Sequence, residues 1–205
     1  MPHPAARPRA VSRLPLLILI LLVLPAGASP ALSAAEPLPA PMPGLAPEDL
    51  FPGAEFNPSV PPPRSVLGVP LGGRPLRHGE ILHYFEVLAG ASQRATLTTY
   101  GRTHEGRELL LLAVSDEPTI RGLDAFREEH ARLVDPRGRG PGEDAALLED
   151  AKAVAWMAYA IHGDELSSGD AAVALAYWLV AGEDEAARAL RRDLVVLIDP
   201  CQNPD

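Results

Sequence analysis

Ala153-Val-Ala-Trp-Met-Ala-Tyr-Ala-Ile-His-Gly-Asp-Glu-Leu-Ser-Ser168 is the stretch whose reading decides the fold. Its first nine residues are apolar on both faces, the pattern of a strand sandwiched between helix layers. Trp156 and Met157 lie within that run and read as core. His162 ends the run, and Glu165 follows as a helical pattern begins. In open α/β sheets ligands bind beyond the carboxyl ends of the strands. Gly163 lets the backbone turn sharply there and clears space. Glu165 is expected in the first turn of the next helix, where backbone amides and the helix dipole favour an ionised carboxylate. A neutral imidazole nitrogen and a carboxylate oxygen both suit Zn²⁺. Two readings stand at this point. His162 and Glu165 are metal ligands, or they mark a strand–helix junction with a histidine packed beside it. Asp164 is expected to cap the helix.

Working outward, the neighbouring segments alternate between strand and helix patterns. Residues 78–91 carry Ile81, Leu82, Phe85, Leu88 and Ala89 at helical spacing, and Gly90 marks the exit. Residues 95–100 are rich in β-branched side chains, and 108–115 are a short apolar run. Between them lies Gly101-Arg-Thr-His-Glu-Gly-Arg107, a glycine-marked turn, so the pair reads as a β-hairpin. His104 is expected to be solvated, and Arg102 and Arg107 to form surface ion pairs of small weight. A helix is expected over 120–134, a loop over 135–144, helices over 165–180 and 183–192, and a buried strand over 194–198. The sum is an α/β fold with a mixed β-sheet flanked by helices. His83 and Glu86 repeat the His-x-x-Glu spacing inside the first helix pattern, with no strand leading in. They read as a structural pair on one helix face.

The ends of the chain carry different information. Arg7, Arg9 and Arg13 precede the apolar run Leu14–Leu24, and Ala26-Gly-Ala28 offers a small-residue cleavage site. This is the build of a signal peptide over 1–28, with cleavage as late as 35, and it predicts a secreted or periplasmic protein. A membrane-spanning helix needs about 20 apolar residues, so stable membrane insertion after signal removal is not expected. Thirteen of the 23 prolines fall between 30 and 75. Proline lacks an amide donor and fixes φ, so 29–55 is read as a Pro-rich linker. Residues from Phe56 on carry apolar side chains at intervals and are expected to lie along the domain. The net charge is −9 and becomes more negative once the three arginines leave. That excludes a nucleic-acid partner recognised through a basic patch. Cys201 is the only cysteine, so stability must come from a packed core and not from disulfides. Its thiol is read as buried and inert.

Three stretches, in order, resemble the zinc carboxypeptidases of peptidase family M14. Tyr100-Gly-Arg-Thr-His-Glu-Gly-Arg-Glu-Leu109 is similar to that family's hairpin with its G-R-T/S-x-E-G-R turn. Ile161-His-Gly-Asp-Glu165 is similar to its H-x-x-E zinc motif. Leu197-Ile-Asp-Pro-Cys-Gln-Asn-Pro-Asp205 is similar to the strand that leads into its N-P-D-G segment. The resemblance implies a peptidase-like domain over 56–205, Zn²⁺ as cofactor, His162 and Glu165 as zinc ligands, and peptide or protein C-termini as substrates. It also implies that the third ligand, a substrate-binding arginine and the catalytic glutamate follow the N-P-D-G segment. On that basis the chain is expected to be the N-terminal part of the domain, an incomplete gene product or a fragment, inactive alone. No catalytic residue is assigned within it. Alternative readings are a zinc amidohydrolase acting on acyl-amino acids or cell-wall peptides, and a non-catalytic binding module on a degenerate peptidase fold.

Overall fold

The structure is a computed structural model and describes residues 43–205 other than 136, 139, 141 and 150. The signal peptide expected over 1–28 lies outside the described residues, as does the first part of the expected linker. In chain order the elements are α1 (Pro47–Leu50), α2 (Pro63–Leu67), α3 (His78–Ala91), β1 (Ala95–Arg102) and β2 (Glu108–Val114). There follow α4 (Glu117–Arg121), α5 (Leu123–Val134), α6 (Glu143–Glu149), β3 (Ala153–Ala158), α7 (Ser167–Ala181), α8 (Glu185–Asp193) and β4 (Leu194–Asp199). The helix expected over 120–134 is two helices that meet at Gly122. Part of the loop expected over 135–144 is taken up by α6.

The sheet is mixed, with strand order β1-β2-β4-β3. β1 and β2 form the antiparallel hairpin, and its register shifts between Thr99 and Gly101. β2 pairs antiparallel with β4, whereas β3 and β4 are parallel and joined through α7 and α8. A parallel pair requires such a crossover, because the end of one strand and the start of the next lie at opposite ends of the sheet.

The core forms where α3 and α7 meet the sheet. Ile81, Tyr84, Phe85 and Leu88 form the buried stripe of α3. They pack with Val173, Tyr177 and Val180 of α7 and with Leu112, Val114, Val196 and Ile198 of the strands. Each such apolar side chain stabilises the fold by about 1.5–3 kcal/mol when fully buried. The two helices approach closely at Gly169, where an added Cβ would lie 2.6 Å from Ile81 Cδ1. α3 starts where Glu80 accepts the Arg77 amide at 2.8 Å, which satisfies one of the free N-terminal donors. Arg74 grips the same carboxylate with two bonds, of 2.9 and 2.6 Å. His83 and Glu86 lie off the buried stripe of this helix.

The Pro-rich approach lies against the helices. Leu45 bridges to Leu71, Phe51 stacks on Trp178, and Phe56 stacks on Tyr177, both stacks with ring centroids 4.8 Å apart. Backbone bonds join Asn57 to Ala181 and Glu183 to Glu55. Thus the described part of the expected linker, 43–55, carries α1 and contributes side chains to the surface of α7. Aromatic burial outweighs the proline penalty here, because each aromatic ring removes a large apolar area from water.

One sequence expectation is overturned. β3 was expected between two helix layers, with Trp156 and Met157 in the core. Among the described residues the strand order places it at the sheet edge, and Trp156 is 64% exposed and Met157 38%. Within the described residues, apolar character on both faces of this strand is not matched by cover on either. Among the described residues no helix is long and apolar enough to cross a membrane.

Candidate metal centre

The site is built from two loops at the same end of the sheet. After β3, Tyr159 still donates to the Asp199 carbonyl at 2.9 Å, so the parallel pairing carries the chain to the rim. Ala160 then adopts φ +46°, a left-handed conformation, while 7% exposed. This conformation costs a non-glycine residue about 1–2 kcal/mol and turns the chain out of the sheet plane. The residues 162–165 form a turn closed by the Glu165 amide donating to the His162 carbonyl at 3.1 Å.

That turn brings the two expected ligands together. His162 Nδ1 lies 3.0 Å from Glu165 Oε1. Both side chains are open to solvent, 73% and 57% exposed. Around a tetrahedral zinc, two ligands at about 2.1 Å lie about 3.4 Å from each other. The observed separation is close to that value, and the donors are of the type zinc prefers. The pair therefore fits the ion as two of its ligands. Among the described residues no group of three or more His, Cys, Asp or Glu side chains could hold a metal.

Two local expectations are corrected. Glu165 precedes α7 instead of occupying its first turn, because the helix starts at Ser167. Asp164 is not the cap: Leu166 occupies that position, and no side chain caps the helix. The tight turn uses the backbone that a longer helix would have needed. Glu165 is held by its turn and by His162, not by the α7 dipole.

The floor under the turn is the segment after β4. Gln202 donates to the Tyr159 carbonyl at 3.0 Å, and Asn203 donates to the Ala160 carbonyl at 3.1 Å. Gly163 lies flat against this segment: an added Cβ would sit 2.4 Å from the Asn203 carbonyl oxygen. The glycine is thus required by a close backbone approach.

The hairpin closes the other side. Tyr100 donates its hydroxyl to Asp199 Oδ2 at 2.6 Å. Burial, and then this bond to a carboxylate, push the phenol above its usual range. Asp199 is fully buried, and its Oδ1 has no partner. Asp205 accepts Thr103 Oγ1 at 2.6 Å, Arg107 Nη1 at 2.5 Å and the Glu105 amide at 3.1 Å. The Thr103 hydroxyl bond first, with the amide and Arg107 also acting, holds this carboxyl below its usual range against a smaller effect of burial. Arg107 is therefore more than the surface ion pair expected for it. Arg102 stays within the hairpin, bound to Glu108 and to the Gly106 carbonyl. His104 is exposed, as expected.

A cleft of about 420 Å³ opens beside Glu165, lined among others by Arg77, His78, Arg107, Leu166 and Cys201. His78 Nε2 donates to the Glu108 carbonyl at 3.0 Å, which leaves Nδ1 as a buried lone pair without a partner. Burial holds this imidazole below its usual value. Burial also raises the Cys201 thiol, which keeps it protonated and unreactive at neutral pH. The sequence signalled neither His78 nor Asp199 as part of this region. Their separation along the chain hides them, since only the sheet order brings the start of α3, the hairpin and the end of β4 together.

Comparison with known proteins agrees with the motifs. The sequence profile of the zinc carboxypeptidase family, peptidase family M14, matches residues 81–205. The chain belongs to that family. Among solved structures it is similar to the carboxypeptidase A from Helicoverpa armigera, at 20% identity and a TM-score of 0.44. The match covers 64% of this chain and 25% of that one, so the chain spans about a quarter of that structure's length. No curated protein matches the chain.

Proposed function

We propose that this chain forms part of a zinc metallocarboxypeptidase that releases C-terminal residues from peptides or proteins, with His162 and Glu165 as two of its zinc ligands. One observation carries the reading. The imidazole and the carboxylate of the His-x-x-Glu motif, inside the family-matched region, meet at 3.0 Å at the rim of the sheet. When bound, zinc polarises the scissile carbonyl and lowers the pKa of the attacking water. The chain's own residues hold the ion's place. His162 offers a ring nitrogen, Glu165 a carboxylate oxygen, and the Ala160–Glu165 turn sets their spacing. Their exposure leaves room for further ligands and for a peptide.

The proposal extends to the rest of the chain. Residues 1–28 act as a signal peptide and direct the protein to the periplasm or the medium. The described residues supply two donors to one point and no third. The 205-residue polypeptide by itself therefore binds zinc weakly and does not hydrolyse peptides. Elemental analysis of the purified chain, dialysed against micromolar Zn²⁺, tests the ligand assignment. Wild type is expected to retain zinc above background, and His162→Ala and Glu165→Ala to lose it. Equal zinc in all three proteins would overturn the assignment. Chelator-sensitive release of C-terminal amino acids by the 205-residue chain would overturn the claim of inactivity.

A further inference from the structure

Both ends of the segment that follows β4 are tied to one hairpin. At its start, the buried Asp199 accepts the Tyr100 hydroxyl at 2.6 Å. At its far end, Asp205 accepts three donors from the turn: Thr103 Oγ1, the Glu105 amide and Arg107 Nη1. Thr103 and Arg107 lie 102 and 98 residues from Asp205 in sequence, so this is a tertiary clamp. The middle of the clamped segment is the surface on which the metal-binding turn rests. Asn203 donates to the carbonyl of Ala160, the one described non-glycine residue with positive φ. Its own carbonyl oxygen occupies the space a Cβ of residue 163 would need. A strained residue such as Ala160 persists only where its surroundings over-determine it.

From this arrangement we infer that Thr103 and Arg107 are positioning residues which, through Asp205, hold segment 199–205 against the 160–165 turn and thereby set the spacing of His162 and Glu165. The bonds to Asp205 fix the segment. The segment fixes Ala160 and Gly163, and these two fix the residues that follow. Among the described residues no hydrogen bond or ion pair joins Thr103 or Arg107 to the His–Glu pair. The consequence for zinc rests on the ligand assignment proposed above, whereas the mechanical link does not.

The test uses the full 205-residue chain with Thr103→Val/Arg107→Ala, the conservative Arg107→Lys, and His162→Ala as the metal-binding control. Hydrogen exchange is followed at the Asn203 and Glu165 amides, which donate to Ala160 and His162. Zinc affinity is measured by competition with a chromophoric chelator. In the double variant, exchange at both amides should accelerate about ten-fold while the amides of α3 and α7 keep their protection. Its zinc dissociation constant should rise about ten-fold, as for removal of an outer support of a metal site, and Arg107→Lys should recover part of both effects. Wild-type exchange at both amides in the double variant would overturn the inference. So would a uniform loss of protection across the core, which would mark these residues as general stabilisers. If the wild-type chain binds no zinc, the ligand assignment fails, and exchange alone decides whether the clamp holds.

Discussion

At the scale of the residue, two glycines show how differently the same atom count can matter. Gly163 and Gly169 both lack room for a Cβ. At Gly163 the obstacle is a backbone carbonyl, 2.4 Å away, that is itself anchored. At Gly169 it is the terminal methyl of Ile81, at 2.6 Å, which a rotamer change can move aside. Gly163→Ala should therefore destabilise the protein by about 1–3 kcal/mol, the usual cost of overpacking. Gly169→Ala removes a flexible residue from the first turn of α7, a gain of at most about 0.5–1 kcal/mol that offsets the strain at Ile81. Its stability should stay within about 1 kcal/mol of wild type by the same reasoning. Urea unfolding of the two variants decides it, and equal losses would refute the distinction. His162 and Glu165 were legible in the sequence because apolar run, glycine and helical pattern lie in one continuous stretch. Their meeting at 3.0 Å required coordinates.

At the scale of the element, β3 is the part that sequence periodicity misplaced. Periodicity reports how apolar a strand is on each face, not which neighbours it finds. Ala153–Ala158 has no charge, no proline and no bulge, and one edge without a described partner. Natural edge strands are blunted by such features, and their absence favours association with other chains. Trp156→Lys should accordingly suppress concentration-dependent light scattering of the 205-residue chain. Its thermal midpoint should shift little, because the replaced side chain is 64% exposed. A collapse of the midpoint with this variant would show that Trp156 is buried in solution. The α3 helix gives the opposite lesson. Its boundaries and the Ile81, Phe85 and Leu88 part of its apolar stripe were readable, because each depends on residues within four positions of one another, whereas Tyr84 and the first-turn Glu80 emerged only in the structure.

At the scale of the whole molecule, carboxylates tie distant segments together and make stability depend on acid. The Arg74 side-chain bonds, followed by the Arg77 amide, pull Glu80 from its ordinary 4.5 down to about 2. The folded state therefore binds this proton less readily than the unfolded chain does. Its contribution is fully present above pH 4.5 and is lost as the pH falls toward about 2. Asp205 and Glu183 are lowered as well and act in the same direction. Glu80→Gln should melt below wild type at pH 6, and the gap should narrow steadily between pH 4.5 and pH 2. A gap independent of pH would show that the carboxylate's charge contributes nothing.

The sequence alone determined the alternation of strands and helices, the α/β class with its mixed sheet, the hairpin and its turn, and the His-x-x-Glu pair at a strand end. These are local, since hydrophobic period, glycine placement and motif spacing are properties of a dozen residues at a time. Tertiary structure alone decided that β3 lies at the edge of the described sheet, that residues 43–55 pack on α7, and that Asp205 is gripped by the hairpin. It also put Asp199, Tyr100 and His78 at the end of the sheet where His162 and Glu165 meet. Strand order and long-range hydrogen bonds join residues about a hundred positions apart, and no local pattern of apolar and polar side chains encodes such a pairing.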